Sequence, residues 1–277
     1  MAYLMTDAET SSGVTALRQP FRSDGWQSGC GRRRRSGGAD LNMARLITVL
    51  MIAVAAWCTP NQGSALEPVD LELVLAADGS GSIDDEELRL QREGYAAAIT
   101  HPRILDAIRG GYHQKIALAF VEWGGPLSQH TVVDWMVIDG PAAAGAFAEK
   151  LRAQPRMAEY YNSISEAIAY STNMIANIAF EGTRKIIDIS GDGLQINGRP
   201  LSEAKILAAA ERITINALVI STPGGGYPGP SGEPLDEHYR NDVIGGRGAF
   251  VVVAEGREHF AQAILKKMIL EIAARQP

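Results

Sequence analysis

The sequence predicts an α/β fold: a doubly wound, mostly parallel sheet of six strands with one antiparallel edge strand. Three observations predict it. Between residues 69 and 275, short runs of aliphatic and β-branched residues alternate with segments of helical period. Several of these runs are apolar without alternation, as in strands covered on both faces. One pair of runs is linked only by Gly124 to His130, too few residues for a crossover, which predicts a hairpin.

Leu71–Ala77 reads as the first strand. Asp84 to Thr100 is helical, with Leu88, Tyr95 and Ile99 near one face and carboxylates in the first turn, where the helix dipole favours them. Ile104–Ile108 is a short helical turn, Lys115–Trp123 the second strand and Thr131–Ile138 the third. Pro141 opens an alanine-rich helix over Ala142–Ala153. A further helix runs from Ser163 to Ile178, with Ile164, Ile168, Ile175 and Ala179 on one stripe. Arg184–Ser190 is apolar enough to be central in the sheet. Leu201–Arg212 is helical and Ile213–Ile220 extended. Thr222–Gly248 is long, rich in Gly and Pro and mostly without a period. Ala249–Ala254 is the last strand. Glu258–Ala274 closes the chain as a helix, with Phe260, Ile264, Met268 and Ile272 at four-residue steps.

The 277 residues are 46% hydrophobic and 21% charged, a globular balance, with a net charge of -6. Beyond residue 65 the chain carries 19 basic and 28 acidic residues, so its body is acidic and offers no basic face for nucleic acid. Residues 1–42, with four consecutive arginines at Arg32–Arg35, have no apolar period and predict a disordered extension or an over-long gene start. Met43-Ala44-Arg45, the apolar run Leu46–Trp57 and the small residues Gly63-Ser64-Ala65 have the anatomy of a secretory signal peptide over residues 43–65. The apolar run is too short to span a bilayer comfortably. Cleavage after Ala65 would place the mature protein in the periplasm or outside the cell, with no membrane span. It would also remove Cys30 and Cys58, leaving neither a disulfide nor a catalytic thiol.

The chemistry concentrates in Asp78-Gly79-Ser80-Gly81-Ser82, between the first strand and the first helix. One carboxylate and two hydroxyls at alternate positions on a turn suit a hard cation, and oxygen ligands favour Mg²⁺, Mn²⁺ or Ca²⁺ over zinc. Asp78 could instead cap the following helix, although Asp84 and Ser82 are better placed to do so. Asp192, in Ser190-Gly191-Asp192-Gly193, is a second acid at a strand end, or a plain Asp-Gly turn.

The D-x-S-x-S pattern resembles the metal-ion-dependent adhesion site of von Willebrand factor A domains. Together with Val121-Glu122-Trp123, Ile187-Asp188-Ile189-Ser190-Gly191-Asp192-Gly193 and Val243-Ile244-Gly245-Gly246, it makes the span from Val69 onward similar to a bacterial secreted A-domain family, DUF1194. The resemblance implies an A-domain fold and places Asp192 at the metal with Asp78, Ser80 and Ser82. Where that family supplies a threonine, this chain has Asn162, which either contributes a ligand oxygen or caps the next helix. The preceding glycine pair is replaced by Tyr160 and Tyr161. The resemblance also implies a non-enzymatic module whose divalent cation, Mg²⁺ by preference, keeps a coordination position for an Asp or Glu of a protein partner. Tyr227, His238, Tyr239 and Arg240, in the long Gly/Pro-rich segment, are candidate contacts at the rim.

Rival chemistries match less well. Gly79-Ser80-Gly81 begins like a dinucleotide fingerprint, but Asp84 stands where Gly or Ala is needed. Ser80 is not in G-x-S-x-G, and H-E-x-x-H is absent from the sequence. The strongest alternative is a Mg²⁺-dependent hydrolase or phosphatase using Asp78 and Asp192, with Glu122 as a further acid.

Overall fold

The computed structural model describes residues 66–221, 229–256 and 259–273. The expected disordered extension and signal peptide lie outside these residues, as do Cys30, Cys58 and Tyr227. The elements in chain order are β1 (Glu67–Val69), β2 (Glu72–Asp78), α1 (Asp85–Ile99), α2 (Pro102–Arg109), β3 (Ile116–Trp123), β4 (Gln129–Ile138), α3 (Pro141–Ala153), α4 (Ile164–Ala176), β5 (Phe180–Gly182), β6 (Lys185–Gly191), α5 (Leu201–Ala210), β7 (Thr214–Ser221), α6 (Leu235–His238), a π-helical turn (Tyr239–Val243), β8 (Val251–Glu255) and α7 (Phe260–Ala273).

Six strands form one sheet in the order β4-β3-β2-β6-β7-β8, with every pairing parallel except β3–β4. This is the mostly parallel, doubly wound arrangement expected from the alternating pattern, and the short link does make an antiparallel hairpin on the edge. β2 and β6 are the middle pair, and all seven residues of β2 are buried. An apolar strand without alternation needs a layer on each face. One layer is α1, α2, α3 and α7, which pack Tyr95, Ile104, Phe147 and Met268 against Leu73, Leu75 and Leu118. The other is α4, α5 and the α6–π segment, which pack Ile168, Ala204, Leu235 and Tyr239 against Val74, Ile187 and Val219.

Local chemistry explains where the helices begin. Asp84 caps α1 in a reciprocal capping box, accepting from the Glu87 N–H at 2.8 Å while Glu87 Oε2 accepts from the Asp84 N–H at 3.0 Å. His101 caps α2 through Nδ1, and Pro102 and Pro141 occupy first-turn positions that need no donor.

Two features depart from the sequence reading. β1 and β5 form a separate two-stranded parallel sheet; at three residues each they are too short to show a period. The stretch read as aperiodic contains α6 and the π-helical turn, whose buried residues Leu235, Tyr239 and Val243 recur at four-residue steps. Among the described residues, no helix is long and apolar enough to cross a membrane.

One buried ion pair ties the helical layer to the sheet end. Arg92 on α1 donates from Nε to Glu122 Oε1 at 2.6 Å, with both side chains almost wholly out of solvent. The same guanidinium donates to the carbonyls of Gln154 and Pro155, anchoring the segment after α3. Removing one partner strands the other as a buried charge. Arg92→Leu should therefore lose about 3–5 kcal/mol in urea denaturation; a loss below about 1 kcal/mol would show that the pair does not hold the layers together.

Candidate metal centre

Adjacent parallel strands bring two acids together. Asp78 is the last residue of β2. In the β2–β6 register Ala77 lies opposite Ser190, so Asp192 follows immediately beyond the neighbouring strand's end. Asp78 is fully buried. Its Oδ1 accepts from the Ser80 N–H at 2.8 Å, which folds the turn back over the strand end. Ser80 and Ser82 face each other, Oγ to Oγ at 2.9 Å, and Ser82 Oγ donates to Asp192 Oδ1 at 3.4 Å. Asp78, Ser80, Ser82 and Asp192 thus form one connected cluster. Because Asp84 caps α1, Asp78 is free of that role.

Asn162 borders the same cluster. It is buried, and the N-cap position of α4 is held by Ser163, without a side-chain cap hydrogen bond, and not by Asn162. Its Nδ2 packs so closely on Gly193 that a Cβ there would fall 1.7 Å from it, so only glycine fits beside Asp192. Ser163 Oγ, another hydroxyl near this point, is committed to the Asn197 carbonyl at 2.6 Å.

The shell behind the cluster is tied down by hydrogen bonds. Gln91 Nε2 donates to the Asp78 carbonyl at 2.9 Å, Trp123 Nε1 to the Ala76 carbonyl at 3.0 Å, and Tyr239 Oη to the Gly193 carbonyl at 3.0 Å. Arg156 reaches the carbonyls of Gly79 at 3.2 Å and Ile83 at 2.6 Å, and Asp85 at 3.0 Å, pinning the turn from outside. Gly81 N–H donates to the Tyr160 carbonyl at 3.0 Å, and Tyr160 takes a left-handed φ of 67° to present it. That conformation is one glycine adopts freely and tyrosine rarely does.

The electrostatics of this cluster are unfavourable as it stands. Burial first, and then the neighbouring Asp192 charge, push the Asp78 carboxyl up from 3.8 to about 7. Burial also raises Asp192, against hydrogen bonds with Ser82 and Asp78 that favour its charge. The Tyr239 hydroxyl is pushed well above its usual value by burial and then by the same two acids. Two buried acceptors, Asp78 Oδ2 and Asn162 Oδ1, have no hydrogen-bond partner. Buried acceptors without donors are costly, and a cation satisfies both them and the like charges. The donor set, two carboxylates, two hydroxyls and an amide oxygen, fits a hard ion.

The rim residues expected from sequence are placed differently. His238 and Tyr239 are 2% and 0% exposed, so they are part of the interior and correct the reading of them as partner contacts. Their segment has a helical apolar stripe that faces inward. Arg240 is on the surface, paired with Asp236. Tyr160 and Tyr161, beside the cluster, are 70% and 63% exposed. In the sequence they stand out only as a departure from a glycine pair. Glu122, the further acid of the hydrolase alternative, is spent on Arg92.

Several solved structures are similar in fold. The proximal thread matrix protein 1 of the mussel byssus, with a zinc-occupied MIDAS motif, matches at a TM-score of 0.56 and 13% identity over 75% of this chain and 49% of that one. The pilus adhesin SpaC of Lactobacillus rhamnosus GG matches at 0.53 and 15% over 74% of this chain and 31% of its own. A von Willebrand factor type A protein from Catenulispora acidiphila matches at 0.52 and 14% over 74% and 43%. This chain therefore spans between about a third and a half of the length of these structures. No curated protein matches it by sequence. The model of the family described as protein of unknown function (DUF1194) matches residues 68–276, and the chain, a von Willebrand factor A domain by fold, belongs to that family.

Proposed function

We propose that this chain is an exported, non-enzymatic protein-binding module. In this reading Asp78, Ser80, Ser82 and Asp192, with Asn162 at the border, hold a divalent cation, Mg²⁺ by preference and Mn²⁺ or Ca²⁺ as substitutes. The observation that carries it is the pair of orphaned buried acceptors beside two carboxylates raised by burial, Asp78 also by the Asp192 charge. When bound, the cation supplies Lewis acidity toward an incoming oxygen, here an Asp or Glu carboxylate of a protein partner. The chain's own residues hold the cluster. The Ser80 N–H fixes one Asp78 oxygen, Ser82 steadies Asp192, and Tyr239, Gln91 and Arg156 immobilise the loops. Tyr160 and Tyr161, with Arg240, replace His238 and Tyr239 as the surface that would set partner choice; Tyr227 stays a candidate. The signal-peptide anatomy of residues 43–65 supports export to the periplasm or beyond. Hydrolysis is less well supported, because Glu122 is neutralised by Arg92 and the cluster has no further acid to move a proton.

Calorimetric titration of the purified chain tests the site. Wild type should bind Mg²⁺ or Mn²⁺ in competition with EDTA, and Asp78→Asn should bind neither at this cluster. Mg²⁺-dependent capture of a partner from a periplasmic extract should fail in the same variant. Equal binding by Asp78→Asn would overturn the assignment, and Mg²⁺-dependent cleavage of a phosphoester lost in that variant would favour the hydrolase.

Stability against pH gives a second check. A carboxyl raised in the folded state holds its proton there between about pH 4 and 7 while the unfolded chain releases it. Its stabilisation is therefore complete below about pH 4 and lost as pH rises through about 7. In EDTA the wild-type melting temperature should fall from pH 5 to 8. Glu271, pushed up to about 7 by burial and then by Asp188, adds a slope of the same sign. Asp78→Asn should flatten the curve by its own share and be at least as stable as wild type at pH 8 without metal. An Asp78→Asn variant markedly less stable there would make Asp78 a structural acid.

A further inference from the structure

A buried amine between two buried carboxyls stands apart from the strand-end cluster and has no part in the reading above. Ile186, Asp188 and Ser190 share the face of β6 turned to α1 and α7, because side chains alternate along a strand. Lys267 of α7 meets Asp188 there, with Glu271 one helical turn further on. Asp188, Lys267 and Glu271 are 1%, 0% and 1% exposed. Lys267 Nζ donates to Glu271 Oε1 at 2.5 Å and lies 2.5 Å from Asp188 Oδ1. The second contact has the length of a hydrogen bond without its direction, and it leaves Asp188 Oδ1 with no hydrogen-bond partner. Asn216 Nδ2 donates to Glu271 Oε1 at 3.0 Å and fixes that carboxyl. The surroundings are apolar: the Phe250 ring centroid is 5.8 Å from Nζ, and Leu218, Ile264 and Met268 belong to the same core layer. Two further titratable groups act on the cluster. Tyr95 of α1 is bonded to Ser190, and Arg184, just before β6, is committed to the carbonyls of Glu271 and Ile272. One ammonium cannot neutralise two carboxylates. Burial raises both acids, Glu271 to about 7 with the Asp188 charge as its second cause, so the pair keeps a proton near neutral pH.

We infer that Lys267 and Asp188 condense into an intramolecular amide, with Glu271 carrying the protons. The ammonium gives one proton to the Glu271 carboxylate, to which it is already hydrogen-bonded, and becomes a free amine. Its lone pair attacks Cγ of Asp188, which holds the proton that the two acids share. The new C–N bond forms, and the Asp188 hydroxyl leaves with the second amine proton, passed through Glu271, as one water. An ammonium, a carboxylic acid and a carboxylate thus become an amide, a water and a protonated Glu271, with no change in net charge. In water the separated ions are too well solvated for this step. Burial removes that solvation and excludes the water that would reverse it. Desolvation is also the means by which a lysine amine becomes a nucleophile. Glu271 and Asn216 line a cavity of about 840 Å³ that reaches the exposed residues Glu181 and Arg247, an exit for the released water. The bond ties the closing helix to a central strand. Beyond Cys58 the chain has no cysteine, so no disulfide can supply that tie. Burial, the larger cause of the Glu271 shift, persists once the bond has formed.

Intact-mass spectrometry of the folded, purified wild-type chain, run under denaturing conditions, reads the bond directly. The chain should be lighter by one water than its sequence requires. Tryptic digestion should then give a branched peptide that joins the stretch holding Asp188 to the one holding Lys267, with no cleavage after Lys267. Glu271→Gln keeps the amine, the Asp188 carboxyl and the side-chain shape, so most of that chain should stay at full mass while its circular dichroism matches wild type. Full mass in the folded wild type overturns the inference, and the wild-type measurement alone is enough for that. A lost water that maps to Lys267 and Glu271, or to any other pair, overturns it as well. Condensation as complete in Glu271→Gln as in wild type removes Glu271 from the reaction and overturns the step as written. None of these results bears on the cation at Asp78, which is read by titration.

Discussion

Two carboxylates held beside each other at the ends of neighbouring strands, Asp78 fully buried and Asp192 half-buried, are the constraint on which the rest of this structure depends. Asp78 and Asp192 are drawn together by backbone register, not by attraction between them. Burial opposes the ionisation of both, and the Asp192 charge further opposes that of Asp78. A fold that carried such a pair without use would be expected to lose it, since a neutral residue would be less costly at either position. The surrounding hydrogen bonds do not relieve the conflict; they hold it in place. Asp78 Oδ2 and Asn162 Oδ1 stay without donors while the carbonyls of Asp78, Gly79, Ser80 and Ile83 are each supplied with one.

The packing explains why the conflict is tolerable. β2 and β6 are central strands with helices on both faces, and the burial of Val74, Leu75, Ile187 and Ile189 fixes their register. Slipping one residue would put apolar side chains on the wrong layer. Tyr239 contributes from the opposite side of the chain, filling the inner layer while its hydroxyl holds the Gly193 carbonyl. Gly191 is needed there, because a Cβ would come within 2.8 Å of that hydroxyl. The long segment after β7 is thus part of the support of the strand-end cluster.

Much of this was legible in the sequence because the physics involved is local. Apolar runs without alternation mark covered strands, and a link as short as Gly124–His130 can only be a hairpin. The D-x-S-x-S turn keeps its ligands within five residues, and the resemblance to the A-domain family placed Asp192 beside it. What was missed depends on contacts distant in sequence. β1 and β5 exist only because they pair with each other across the chain. Asn162 reads in sequence as either a ligand or a helix cap, and only the fold shows that Ser163 holds the N-cap position and that Gly193 leaves room for the amide. His238 and Tyr239 looked like surface groups because Gly and Pro dominate their neighbourhood. The four-residue recurrence of Leu235, Tyr239 and Val243 was the available signal of an inward face.

The most direct measurement is anomalous diffraction from crystals grown or soaked with Mn²⁺. A hard cation at the strand ends predicts a manganese peak bounded by Asp78, Ser80, Ser82 and Asp192, with the Ser80–Ser82 hydroxyl contact replaced by two bonds to the ion. Crystals at neutral pH and saturating Mn²⁺ that show no peak there would contradict it.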